Sequence, residues 1–191
     1  MKAILQDELY KKYPEIFVQK DLDMTQTLMC WGISCGDGWY NIIDTLCHSL
    51  QEYCDAPHKD IVSYQKWLKD AQEKGDELWA KTCEERLQKA IETAEKRPQV
   101  EAVQVKEKYG TLRFYTNHYD DTINAMINFA EDMSGCTCVR SGAPGKPSKG
   151  GWIKVQCNSC TGDIYLKSKL KNFTPMQLYQ SMRSRVTPGW I

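Results

Sequence analysis

The clearest amphipathic pattern in the chain begins at Trp39 and predicts a helix. Over residues 39–54 the apolar side chains recur at intervals of three and four, which places them in one stripe along a helix. Asp37, in the glycine-rich turn just before it, is suited to cap the N-terminus of this helix. The same spacing over residues 122–134 predicts a second amphipathic helix that ends at Gly135.

Residues 59–97 are mostly charged and predict a pair of helices with few apolar positions. The helices are expected over residues 60–74 and 76–96, with a break at Gly75 and a stop at Pro98. Such a pair projects from the core or lies along it with one narrow seam. It could pack on its own domain or form the interface of a homo-oligomer.

Two short runs with strict alternation of apolar and polar residues predict a β-hairpin. They cover residues 100–105 and 112–116, and Gly110 lies in the turn between them. Leu112 and Phe114 should face one side of the hairpin, with the intervening residues on the other.

Together these elements predict an α+β fold: a small β-hairpin packed by amphipathic helices, with an inserted helical hairpin and a C-terminal zinc-ribbon-like module. The expected body is residues 1–135, in which 59–97 form the insertion. The module is residues 136–191 and includes a final helix, because Thr174 and Pro175 match a cap followed by proline at the first helical position.

The composition favours a protein of the cytoplasm. The chain has 191 residues, of which 41% are hydrophobic and 26% charged, and its sequence contains neither a run long enough to span a membrane nor a signal peptide. In a reducing compartment its nine cysteines are expected to be thiols or metal ligands.

The neutral total charge conceals a basic C-terminal third. Residues 139–191 contain nine Lys or Arg and one acid, so their charge is +8, and the rest of the chain carries −8. This asymmetry predicts an anionic partner, or else pairing of the two parts within the molecule.

A cysteine cluster in that third suggests a metal site. Cys157 and Cys160 form one C-x-x-C knuckle, and a second knuckle is expected about 15–20 residues earlier. Cys138 begins that second knuckle, but Ser141 occupies the place of its second cysteine. Cys136 is one candidate for the missing ligand.

Three interpretations of this cluster remain open from the sequence. Cys136 completes a zinc site if the chain bends at Gly135, a distant His or Cys completes it, or the knuckle is degenerate and binds no metal. A bound zinc ion would be structural, because no general base is evident nearby.

Three motifs resemble a family of uncharacterised tailed-phage proteins. They are Cys-Trp-Gly…Cys-Gly-Asp-Gly-Trp at 30–39, Gln-Val-Lys-Glu-Lys-Tyr-Gly-Thr-Leu-Arg-Phe-Tyr at 104–115, and Gly-Trp-Ile-Lys…Cys-x-x-Cys at 151–160. The relatives have C-x-x-C-G…C-x-x-C at the C-terminal end, and Ser141 departs from that pattern. The resemblance implies a phage gene expressed in a bacterial host, and hence the host cytoplasm, but no reaction.

Aromatic rings beside cations form the candidate ligand site, because a ring can stack a base while a cation neutralises a phosphate. The alternative is an ordinary core with lysines that extend their charges into solvent. The loop at 142–151 is not a P-loop, since Arg140 and Pro147 stand where glycine and Ser or Thr are required. The candidate ligand residues are Trp31, Lys108, Arg113, Tyr115, Lys146, Lys149, Trp152 and Lys154.

Catalytic candidates are few. Asp44 and His48 are spaced to meet on a helix, and His118 lies beside the acidic pair 120–121, which more commonly caps a helix. Cys35 precedes a helix and could be a nucleophile, although a packing role is more common. These patterns favour a protein that is not an enzyme.

The leading hypothesis is therefore a phage accessory protein, for counter-defence or host takeover, that sequesters a small nucleotide signal. A second hypothesis is a nucleic-acid-binding protein that uses the zinc module and the basic C-terminal third. The others are an inhibitor that binds a host defence protein, and a hydrolase or nuclease.

Overall fold

The computed structural model describes residues 1–148 and 151–161 and has a mixed α+β architecture. Lys149 and the predicted final helix from Thr174 lie outside the described residues. Short 3₁₀ turns occur at Val18–Asp21, Met29–Trp31 and Asp37–Trp39. The helices are α1 (Ala3–Lys12), α2 (Tyr40–Lys74), α3 (Glu77–Lys96) and α4 (Asp121–Ser134), and the strands are β1 (Ala102–Lys108), β2 (Thr111–Thr116), β3 (Lys146–Pro147) and β4 (Val155–Gln156).

The predicted β-hairpin is confirmed. Strands β1 and β2 pair antiparallel through a two-residue turn of Tyr109 and Gly110, both with positive φ (53° and 82°), as the right-handed strand twist favours. Leu112 and Phe114 are both buried in the core, on the strand that packs against α4, as their spacing predicts. Across the other edge of β1, Ser34 exchanges backbone hydrogen bonds with Val105 and Glu107. Strand β1 is thus hydrogen-bonded along both of its edges.

Helix α2 corrects the sequence prediction, because it continues without a break through Pro57. Proline lacks the N–H that would donate to the carbonyl of Tyr53 one turn earlier. Arg97 replaces that donor: its Nη1 donates to the Tyr53 oxygen over 3.0 Å, and its guanidinium lies 3.8 Å from the centre of the Tyr53 ring. The separate helices expected at 39–54 and 60–74 are therefore one helix of 35 residues.

The second half of α2 and α3 form the predicted helical hairpin. Gly75 ends α2 in the left-handed conformation (φ 70°), and Asp76 caps α3 by accepting from the Trp79 N–H over 3.0 Å. Small side chains fill the seam, since Ala71, Cys83 and Ala90 are buried. The narrow seam expected from the sparse apolar pattern is present.

Candidate metal centre and the adjoining basic arm

The thiols of Cys138, Cys157 and Cys160 lie together, with all their sulfur atoms within 4.8 Å of one another. None forms a disulfide. Across residues 1–148 and 151–161 this is the one group of three or more His, Cys, Asp or Glu side chains close enough to share an ion. These three cysteines could hold a metal.

Backbone hydrogen bonds form two turns that bring the cysteines together. The first turn is closed by the Gly142 N–H, which donates to the Cys138 carbonyl over 2.9 Å, and Gly142 adopts a positive φ of 75° there. The second begins at Cys157, whose carbonyl accepts from the Thr161 N–H over 2.9 Å. The Val139 N–H donates to the Val155 carbonyl over 2.9 Å and joins the segments that lead into the two turns.

Ser141 lies beside this group. Its Oγ is 3.4 Å from the Cys157 sulfur, at hydrogen-bonding distance. A serine therefore stands next to the sulfurs at the expected place of the fourth cysteine.

The hydrogen bonds favour thiolate at two of the three cysteines. Burial alone would raise the pKa of Cys138, but hydrogen bonds from the Ser141 hydroxyl and from backbone amides outweigh it and lower that pKa to about 6. The Ser141 hydroxyl and the Cys160 backbone lower the pKa of Cys157. For Cys160 the Ser141 hydroxyl acts to lower the pKa, yet the neighbouring thiols and burial raise it overall.

Cys136 lies outside this group, although the sequence offered it as the fourth ligand. It is exposed, and its thiol donates to the Met133 carbonyl over 3.2 Å. The helical turn continues past Gly135, since the Thr137 N–H donates to the Ser134 carbonyl. The bend required to turn Cys136 toward the centre is absent at Gly135, which has right-handed helical geometry.

The first cysteine turn rests on the glycine-rich turn before α2. A Cβ added at Gly36 would lie 2.0 Å from the Val139 carbonyl oxygen, and one at Gly38 would lie 2.2 Å from that of Cys138. The Gly38 N–H donates to the Val139 carbonyl over 3.0 Å, and the buried Trp39 donates from Nε1 to the Thr137 carbonyl over 2.9 Å. Side chains at positions 36 and 38 would separate the two segments.

The role predicted for Asp37 is corrected by the same turn. The residue that precedes α2 is Trp39, and no side chain caps this helix. Asp37 accepts instead from the Lys2 N–H over 2.8 Å and pairs with the Lys2 ammonium at 3.1 Å. Its carboxylate therefore ties the N-terminus to the turn.

Between the two cysteine turns, the described residues 146–148 and 151–156 include two paired strands, β3 and β4, and are here named the basic arm. Pro147 pairs with Val155, and the Ser148 N–H donates to the Lys154 carbonyl over 2.8 Å. Val155 is buried, so the alternation along the strands places Lys146 and Lys154 on the opposite, exposed side. Trp152, at the bend, is 74% exposed.

The basic arm lies against the turn between β1 and β2. A Cβ at Gly110 would meet the Ile153 side chain at 2.8 Å, so the two segments are in contact. The neighbouring Tyr109 is 76% exposed, and Lys108 Nζ lies 5.5 Å from the centre of its ring. The aromatic–basic patch is defined by this turn and the arm together: Lys108, Tyr109, Lys146, Trp152 and Lys154.

Three predicted ligand residues lie elsewhere. Arg113 is half-buried and pairs with Glu131 at 3.0 Å. Tyr115 lies beneath the Lys106 ammonium, 5.4 Å from the ring centre, and Trp31 lines a depression beside α1. Of the residues predicted as one ligand site, four therefore share the patch. Tyr109 was not predicted as a ligand residue; its signal is the Tyr-Gly turn, whose positive φ values place it at the tip of a hairpin.

The carboxylates proposed for catalysis have structural partners. Asp44 accepts from Lys12 Nζ over 2.8 Å and from the Tyr13 hydroxyl over 2.9 Å, so it is tied to α1 and the turn after it. Asp120 caps α4 by accepting from the Ile123 N–H over 2.7 Å. These contacts account for both carboxylates without a histidine partner.

Cys35 lacks the environment of a nucleophile. Burial, the largest influence, raises its pKa to about 12, although the positive N-terminal ammonium acts in the opposite direction. The thiol is therefore protonated at neutral pH. Its carbonyl accepts a hydrogen bond from the N-terminal ammonium, which is a structural contact.

Comparison with protein-family models, with curated proteins and with solved structures finds no match. In the part of the chain that the structure describes, no helix has both the length and the apolar character needed to cross a membrane.

Proposed function

We propose that this protein binds single-stranded nucleic acid through the aromatic–basic patch, and that a structural zinc ion at Cys138, Cys157 and Cys160 stabilises the arm that carries it. The observation behind the proposal is that two highly exposed rings and three lysines lie on adjoining segments next to three cysteines that could hold a metal.

Zinc fits the three-cysteine group because thiolates are soft ligands that suit this ion. Two of the thiols already have depressed pKa values, so less work is needed to deprotonate them. The segment from Cys136 to Thr161 has little else to fix its shape, since within its described residues Cys138 and Val155 are the buried apolar side chains. A metal would supply the stabilisation that a core supplies in larger domains.

The patch suits an extended nucleic-acid strand. An exposed aromatic ring stacks on any base and contributes about 1–3 kcal/mol per base, while lysines neutralise the phosphates between. Tyr109 and Trp152 offer two rings, and Lys108, Lys146 and Lys154 supply charge. The Glu107 carboxylate nearby is engaged, because it accepts from the Gly110 N–H over 2.7 Å. The charge of +8 over residues 139–191 would add long-range attraction.

An open surface favours a polymer over a free nucleotide. Small-molecule sites are usually concave and bury most of their ligand, whereas the rings of the patch project into solvent. Trp31, Arg113 and Tyr115, which the nucleotide hypothesis used, lie on other parts of the molecule. Sequestration of a nucleotide signal in a phage-infected host stays a prediction with less structural support.

Fluorescence anisotropy with a labelled oligothymidylate tests the nucleic-acid proposal. Trp152→Ala should weaken binding by about 5- to 150-fold, because the loss of one stacking platform removes about 1–3 kcal/mol. The matched control is Trp79→Ala, since Trp79 is 40% exposed on α3, outside the patch. Lys154→Gln should reduce the salt slope of binding by about 0.7 for one phosphate contact on a single strand. Lys81→Gln, on α3, should leave the slope unchanged.

The same assay separates the competing hypotheses. Binding of a mononucleotide as tight as that of the oligomer would support the nucleotide hypothesis and overturn this one. If the Trp152→Ala and Trp79→Ala variants lose the same amount of affinity for the oligomer, the aromatic–basic patch does not bind it. Failure of the wild-type protein to bind the oligomer at low salt would reject nucleic-acid binding altogether.

A further inference from the structure

The cysteine group offers a metal ion three sulfur atoms and, beside them, one hydroxyl oxygen. Ser141 Oγ is 3.4 Å from the Cys157 sulfur. Among the described residues no fourth His, Cys, Asp or Glu side chain belongs to the group. The described residues therefore supply three sulfur ligands and, beside them, a hydroxyl, which zinc binds weakly.

A serine hydroxyl is a poor substitute for a thiolate. It stays protonated near neutral pH, so it offers the ion a neutral oxygen in place of a charged sulfur. Zinc sites with three protein ligands usually hold water or a substrate in the fourth position, whereas structural sites are closed by four ligands. The three cysteines thus form the ligand set of a zinc site with an open fourth position, although their place between two turns is typical of a structural zinc site.

Access to solvent supports the same conclusion. Ser141 is exposed, and Cys157 and Cys160 are only half-buried, while Cys138 is fully buried. The buried sulfur anchors the group on the body, and the opposite side, which carries the serine, faces solvent. A small external ligand could reach a bound ion from that side.

The net charge of the zinc ion with its three thiolates determines which class of external ligand can bind at the fourth position. Three thiolates and one Zn²⁺ carry a net charge of −1, which repels a free anion that approaches from solvent. A neutral nitrogen donor adds no charge, and imidazole is a ligand that zinc accepts readily.

We propose that a zinc ion held by Cys138, Cys157 and Cys160 keeps an exchangeable fourth position beside Ser141, and that this position takes a neutral nitrogen donor of the imidazole class. The inference rests on the zinc site of the proposed function. Binding would be a ligand exchange in which the imidazole nitrogen displaces water or the serine hydroxyl from the ion, with no change of oxidation state.

Cobalt substitution tests this inference with a readout independent of nucleic-acid binding. Co²⁺ replaces zinc in tetrahedral sites, and its visible absorption reports the ligands around it. Imidazole added to the Co²⁺ form of the wild-type protein should change the spectrum in a saturable way. Ser141→Cys should supply a fourth thiolate, bind Co²⁺ more tightly and abolish the response to imidazole. Ser141→Ala, which removes the hydroxyl, should keep the response.

The outcomes distinguish failure of the inference from failure of the zinc proposal. A wild-type protein that binds Co²⁺ but does not respond to imidazole has a closed site, which overturns the inference alone. If Cys136→Ala also weakens Co²⁺ binding as much as Cys157→Ala, Cys136 is the fourth ligand. A wild-type protein that binds neither Co²⁺ nor Zn²⁺, while Ser141→Cys binds both, overturns the zinc site and the inference together.

Discussion

The body and the cysteine module of this protein are stabilised in different ways. In the body, α2, α4 and the β1–β2 hairpin enclose a continuous core that includes fully buried Trp39, Phe17 and Phe114. The described part of the module, from Cys136 to Thr161, contains strands of two residues each and two buried apolar side chains. One region excludes water with large side chains, and the other depends on backbone hydrogen bonds, on its seat against Gly36 and Gly38, and on the proposed metal.

The module is therefore not stabilised by a hydrophobic core of its own, as the body is. A segment of this size cannot bury enough apolar area to fix its conformation alone. Its contacts with the body include hydrogen bonds, such as the one from Trp39 Nε1 to the Thr137 carbonyl, and the packing of Val139 against the core. Substitutions in the hydrophobic core should therefore act mainly on the body, whereas metal removal and substitutions at Gly38 should act mainly on the module.

The largest effect is expected from the body core. Phe114→Ala removes a fully buried ring between the hairpin and the helices, which should lower the free energy of unfolding by about 3–5 kcal/mol. Urea unfolding followed by circular dichroism measures it. Phe129→Ala is the matched control, because Phe129 is 69% exposed, and it should change the stability by less than about 0.5 kcal/mol. Similar losses in the two variants would contradict this view of the core.

Metal removal should act on the module and leave the body intact. An ion present at a hundred times its dissociation constant stabilises the segment that binds it by about 2.7 kcal/mol. Hydrogen exchange measured with and without a chelator should show faster exchange over residues 136–161. Exchange in β1 and β2 should not change. Equal acceleration in both regions would show that the metal stabilises the whole domain.

A smaller and more local effect is expected at the seat of the module. In Gly38→Ala the new Cβ would lie 2.2 Å from the Cys138 carbonyl oxygen and close to the backbone of Gly142, so the two segments must separate at a cost of about 1–3 kcal/mol. The buried Cys138 thiol should then react faster with a thiol reagent. Gly151→Ala is the control, since a Cβ there meets nothing within 4 Å. Unchanged labelling of Cys138 would show that the seat tolerates a side chain.

Local patterns predicted the body elements well. The alternation around Leu112 and Phe114 reflects a hairpin with one buried face, and Gly75 and Gly110 mark positions where the backbone adopts a positive φ. These features depend on residues adjacent in sequence, so the sequence alone shows them.

Long-range contacts explain what local patterns did not predict. The sequence predicted separate helices before and after Pro57, but Arg97, forty residues after the proline, supplies the donor that allows α2 to continue. Asp37 matched a helix cap, yet Lys2 is its partner. For the candidate site, C-x-x-S-G and C-x-x-C identified Cys138, Cys157 and Cys160, whereas the position of Ser141 beside the Cys157 sulfur required the fold. The lysines and rings of the patch were visible in the sequence without their grouping.

The pairing of Arg97 with the Tyr53 carbonyl also limits the order in which two positions can change during evolution. Replacing Pro57 by a residue with an N–H restores the donor within the helix, and Arg97 can then vary freely. If Arg97 is lost first, the Tyr53 carbonyl has no donor from its own helix and also loses the donor that Arg97 supplies. Descendants of this chain should therefore lose the proline before the arginine, and chains with Pro57 but without a donor at position 97 should be rare.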